Sequence, residues 1–132
     1  DETLVAAYKE AITDWNNTGA FIFTLTEDAS TADIVATDYS DANSQAAGLA
    51  DSQTNVLTNR ITHVDVKLNR YFLLNSDFGY THKRIVNTAE HELGHAIGLD
   101  HDDSKTSVMQ SAGSYYGIQQ VDIDTVHALY AN

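Results

Sequence analysis

The sequence predicts an α+β domain with an α/β-like succession of helices and strands. Apolar residues recur every three or four positions in several separate stretches, the period of a helix with one buried face. Val64, Val66 and Leu68 alternate with His63, Asp65 and Lys67, the period of a half-buried strand. A chain of 132 residues, 42% of them apolar, is also long enough to bury one sizeable core. A single domain over residues 1–132 is expected, without repeats, low-complexity tracts or an interdomain linker.

The first helix is expected over residues 3–17 on the stripe Leu4, Val5, Tyr8, Ala11, Ile12 and Trp15, with Asn17-Thr18-Gly19 as its stop. Phe21-Ile22-Phe23-Thr24-Leu25 and Ile34-Val35-Ala36 are short β-prone runs on either side of a polar turn, and read as two strands. Residues 38–59 are mostly small and polar with little periodicity, which predicts a long loop carrying a short strand near Ala47-Gly48-Leu49. The alternating run around Val64, Val66 and Leu68 follows as a strand. A second helix is expected over residues 81–99, with Ile85, Ala89, Leu93, Ala96 and Ile97 inward and Gly98 as a left-handed terminator. An irregular stretch, residues 100–117, then leads to a last helix near residues 119–130, where Ile123, Val126, Leu129 and Tyr130 share a face.

Charge and composition remove whole classes of function. Nineteen acidic residues against seven basic ones give a net charge of -12, which repels nucleic acid and anionic membrane surfaces, so neither is expected as a partner. No segment approaches the roughly 18 uninterrupted apolar residues of a membrane span, and the acidic start lacks the pattern of a signal peptide. A soluble chain is expected, and a signal or pro-segment removed before Asp1 is compatible with that start. Without cysteine there is no disulfide, thiolate metal site or thiol nucleophile, so histidine and carboxylate must hold any metal. The many carboxylates make calcium a candidate additional cation.

The chemistry concentrates in one motif. His91-Glu92-Leu93-Gly94-His95 places two imidazoles four residues apart, on one face of the second helix and close enough to share an ion, for which zinc is the natural guest. Glu92 lies about 100° round the helix from His91, so it reaches a water on the metal rather than the metal itself. Gly98 can take the positive φ that turns the chain back, letting His101 supply a third nitrogen and leaving a fourth position open, as a catalytic zinc requires. The full pattern HExxHxxGxxH fixes five positions, and its chance appearance in a chain of this length is on the order of a few in a hundred thousand. Of the carboxylates around His101, Asp102 is expected to orient a zinc-bound imidazole, while Asp100 and Asp103 read equally well as a solvated turn.

The stretch HELGHAIGLDHD resembles the zinc signature of the metzincin metallopeptidases, and Met109, eight residues after His101, resembles their Met-turn. The short gap between the third histidine and the methionine resembles the matrixins. The likeness extends to the first helix with Trp15, the strand entry Ala32-Asp33-Ile34 and the terminal run through Asp122-Ile123 to Leu129-Tyr130. The resemblance implies a zincin fold: a twisted, mixed, mostly parallel sheet, about three helices, and a zinc cleft above a small C-terminal part. It implies that Met109 packs beneath the zinc as a floor, and that the protein is secreted and extracellular.

Two departures from the family pattern bear on the site. Residues 37–59 hold neither histidine nor proline, where the family's vertebrate members have ligands for a structural zinc, so one zinc is expected; His63 and Asp65 read as a solvated strand face. The wall after Met109 lacks the family's proline, and Tyr115 and Tyr116 are read equally as pocket wall, oxyanion donor or packing.

The function expected is that of a monomeric zinc-dependent endopeptidase. Glu92 would be the general base, the metal would sit on His91, His95 and His101, and a peptide or protein substrate would lie extended along the Ala47-Gly48-Leu49-Ala50 segment. The alternative is a catalytically inactive, zinc-stabilised module that binds peptides or a partner; it has no chemical need for Glu92 beside the first ligand. A metal-dependent hydrolase of a non-peptide bond is a further alternative.

Overall fold

One helix, three consecutive strands and then a run of helices follow one another along the chain, and two of the helices carry the packing that positions the site. The computed structural model describes residues 1–58 and 60–130, so the last residue of the predicted 38–59 loop and the final two of the predicted domain lie outside the described residues. Helix α1 is Glu2–Asn17, capped by the Asp1 side chain, which accepts from the Thr3 N–H. Leu4, Ala7, Tyr8, Ala11 and Trp15 are buried on it, whereas Val5, one step round from Leu4, is left exposed. Gly19, at φ 71°, turns the chain away after the helix.

Strands β1 (Ile34–Tyr39), β2 (Gly48–Thr54) and β3 (Ile61–Asn69) form a mixed sheet in the order β1-β3-β2. β1 runs parallel to β3, with Ile34 opposite Val64, and β2 runs antiparallel to it, with Gly48 opposite Leu68. The alternation read in β3 holds: Val64, Val66 and Leu68 are buried while His63, Asp65 and Lys67 are only partly covered.

The expected strand at Phe21-Ile22-Phe23-Thr24-Leu25 does not form. Its backbone finds a side chain instead of a ladder, because the Asn16 amide donates to the Phe23 carbonyl and accepts from the Phe23 N–H. The ring of Phe21 packs on Phe23 and Tyr130, with centroids 4.9 and 5.1 Å away. Parallel and antiparallel pairings are therefore equal among the described residues, rather than mostly parallel.

Asn69, fully buried at the end of β3, holds the loop that delivers β2. Its amide donates to the carbonyls of Asp41 and Ala46 and accepts from the N–H groups of Asp41 and Tyr71. Short helical turns at Arg70–Leu73 (α2) and Ser76–Phe78 then lead to α3, His82–Ala96, capped by the Thr81 hydroxyl. The α3 helix lies against α1 and the sheet. Trp15 Nε1 donates to the Glu90 carbonyl, and the Tyr8 hydroxyl donates to the Thr37 carbonyl, so α1 is tied to both.

The last helix, α4, is Gln120–Tyr130. Its expected apolar face is only partly used. Val126 is buried, but Leu129 and Tyr130 remain half exposed, and the Tyr130 hydroxyl donates to the Ile97 carbonyl at the end of α3.

Candidate metal centre

His91 and His95 project from one face of α3, one turn apart, and the chain then leaves the helix at Ile97. Gly98 takes φ 105°, and Leu99 N–H donates back to the Gly94 carbonyl, which closes the turn and returns His101 toward the helix. The three imidazole centroids lie 4.8, 4.9 and 5.2 Å from one another. One ring nitrogen from each comes within 4.8 Å of the others. Among the described residues this is the one group of three or more His, Cys, Asp or Glu side chains placed to share an ion.

The donor set suits zinc. His91 Nδ1 lies 2.7 Å from the Val108 carbonyl and His95 Nδ1 lies 2.8 Å from the Leu99 carbonyl. A carbonyl only accepts, so both Nδ1 atoms carry the proton and both Nε2 lone pairs are free. Burial pushes His91 down to about 4 and lowers His95 as well, so both rings are neutral near pH 7. Three imidazole nitrogens with room for a fourth ligand form the set that a catalytic zinc takes.

Met109 is buried, and its sulfur packs on α3 between the first two histidines in sequence, 2.6 Å from where a Cβ on Gly94 would sit. The turn that carries Met109 is held by Asp122 of α4. The buried Asp122 carboxylate accepts from the Ser107 hydroxyl and from the N–H groups of Val108 and Gln119, and the Ser107 oxygen in turn accepts from the Met109 N–H. The carbonyl of the same Val108 orients His91, so a carboxylate on the last helix acts on the first ligand through one peptide unit. Asp122 lies in the predicted terminal helix, and no local pattern marks this role, because Ser107 and Val108 lie 15 and 14 residues away.

Glu92 is 6% exposed and faces a cleft of about 640 Å³ that it shares with the three histidines. Among the described residues nothing donates a hydrogen bond to its carboxylate, and burial pushes its pKa up to about 7. The cleft is walled on one side by residues 45–50, from the end of the loop into β2, and on the other by Ser111, Ala112 and Gly113. Gly113, at φ 72°, lies against His91: a Cβ there would come within 3.4 Å of the ring.

Several expected residues take other roles. The Asp102 carboxylate, assigned to a histidine, instead accepts from Ser104 N–H and Oγ, while backbone carbonyls orient His91 and His95. Asp103 accepts from Ser111 N–H and Oγ, pinning the far wall to the turn after His101. Tyr115 does not line the cleft. It packs on Arg84, whose guanidinium sits 4.6 Å from its ring centroid and 4.2 Å from that of Tyr80, and Tyr80 is the tyrosine in the cleft wall. Arg84 also donates to the Ser114 hydroxyl. His63 and Asp65 form a pair at 3.1 Å on the partly covered face of β3.

A family model described as matrixin, a peptidase family, matches residues 1–131. No curated protein matches the chain.

Proposed function

The chain belongs to the matrixin family of zinc metallopeptidases, and on that premise we propose that it is an endopeptidase in which His91, His95 and His101 hold one zinc and Glu92 is the general base. The observation that carries the reading is the convergence of three imidazoles, two of them neutral and with fixed tautomers, beside a carboxylate that has no hydrogen-bond partner among the described residues and faces the same cleft. Bound there, zinc supplies a Lewis acid that acidifies a water and polarises a carbonyl, and its charge draws Glu92 toward its ionised form.

The chain's own residues supply the rest. The Glu92 carboxylate takes a proton from the attacking water as its oxygen bonds to the carbonyl carbon, and returns that proton to the amine nitrogen as the C–N bond breaks. Among the described residues β2 is an outer strand of the sheet and its first residues line the cleft, so an extended substrate can pair its main chain with that edge and lie across Glu92. The Ala112-Gly113 wall, held by Asp103 and Arg84, bounds the space for a substrate side chain. The family resemblance supports an exported enzyme that acts on proteins outside the cell.

The test is cleavage of casein and denatured collagen with and without a zinc chelator, on protein whose metal content has been measured. Cleavage that stops with the chelator and returns with zinc is expected, at about one zinc per chain. Tight peptide binding without cleavage, on the zinc-loaded protein, would establish the inactive binding module instead.

A further inference from the structure

Glu92 is held by shape rather than by partners. With no hydrogen bond to its carboxylate among the described residues, its position depends on what packs against it, and one of those neighbours is a bare backbone. A Cβ built on Gly48 would lie 2.7 Å from Glu92 Oε2, 2.9 Å from Cγ and 3.1 Å from Cδ. Contacts that short involve the stem of the side chain as well as its tip, so rotating the carboxylate does not relieve them.

The strand cannot easily retreat. Gly48 is in register with Leu68 of β3, and the neighbouring Ala47 carbonyl accepts from the Asn69 N–H at 2.8 Å. Conformation gives no reason for glycine here either: the positive-φ glycines are Gly19, Gly79, Gly98 and Gly113, and Gly48 sits in ordinary strand backbone that any residue adopts. Space alone demands glycine at this position.

We infer that Gly48 is a positioning residue for the reaction: its missing side chain is the seat of the Glu92 carboxylate, and the first residue of the outer strand thereby sets where the general base stands. The inference rests on the proposed proteolysis for its consequence, but the contact itself does not. A displacement of about 1 Å in such a group lowers a rate by roughly a hundredfold.

Gly48→Ala provides the test, because a Cβ that displaces the base acts on kcat and leaves the zinc in place. The expected result is a kcat at least about tenfold lower with KM within about twofold, unchanged zinc content and a Tm somewhat lowered by overpacking against the Glu92 stem. In a Glu92→Asp background, where the shorter side chain vacates the contact, Gly48→Ala should have little further effect. The carboxyl carbon resonance of Glu92, read by NMR in the zinc-free protein, should move in Gly48→Ala. An unchanged kcat, an equal loss in the Glu92→Asp background, or an unmoved resonance would each overturn the assignment. If the parent protein cuts nothing, the proteolytic reading fails and the resonance alone decides the contact.

Discussion

The two sides of the cleft are held by different physics. On the histidine side two of the three ligands are tied by hydrogen bonds: Asp122 fixes residues 107 and 108, the Val108 carbonyl fixes His91, and the Leu99 carbonyl fixes His95. On the glutamate side the carboxylate has no hydrogen bond among the described residues and rests against the bare face of Gly48. Ligands must present lone pairs at fixed angles, and directional bonds supply that. A base that collects a proton from one atom and gives it to another needs a defined place with freedom to swing, and a steric seat supplies that.

The sharpest contrast between the two sides comes from removing one group from each. His95→Ala should lose the zinc and reduce casein cleavage to background. Glu92→Ala should keep about one zinc per chain and the fold, yet lower cleavage roughly 10²–10⁴-fold. Metal analysis and a rate on the same preparations check both. Zinc loss from the Glu92 variant would merge the two sides into one.

Next in size is the anchor behind the ligands. Asp122→Ala leaves the Ser107 hydroxyl and the Val108 and Gln119 N–H groups without their buried acceptor, which should cost about 3 kcal/mol in urea unfolding. It should also weaken zinc binding roughly 10–100-fold. Unchanged zinc affinity would show that the Val108 carbonyl keeps its place without the carboxylate.

Acidity separates the sides in the zinc-free protein. Glu92, pushed up to about 7 from 4.5, contributes stability that is complete below pH 4.5 and lost as pH rises through 7. His91, pushed down to about 4 from 6.5, contributes stability that is complete above pH 6.5 and lost as pH falls through 4. Each arm is on the order of 3 kcal/mol. In chelator, the stability of the parent relative to Glu92→Gln should therefore fall between pH 4.5 and pH 8, and a flat difference would show that Glu92 is not destabilised by burial.

The smallest effect expected is at the far wall. Arg84→Ala removes two aromatic contacts and the bond to Ser114, and should cost about 1 kcal/mol without loss of zinc. A loss of zinc would make Arg84 part of the histidine side.

What could be read from the sequence was what depends on spacing along the chain. The i,i+4 histidines, the Gly98 turn and the alternation of β3 all follow from local periodicity, and all form as read. β2 begins where a short strand was expected but runs on to Thr54, because its exposed residues Asp51, Ser52 and Gln53 are held by the backbone of β3 rather than by a buried face. The β-prone run at Phe21 failed for the reverse reason: its side chains suit a strand, but Asn16 took its backbone. Asp122 and Gly48 act across the fold on residues far away in sequence, and no local pattern marks such contacts.

The outer position of β2 has a consequence for the molecule in concentrated solution. An unpaired edge accepts any extended backbone, including the same strand of a second copy. What opposes such self-assembly is charge: each copy carries a formal -12, and Asp51 is exposed on the strand itself. That protection is conditional. It weakens in molar salt, where charges are screened beyond about 3 Å, and disappears near the isoelectric point of about 4.5. Acidic or high-salt stocks should therefore be the ones in which these molecules meet edge to edge.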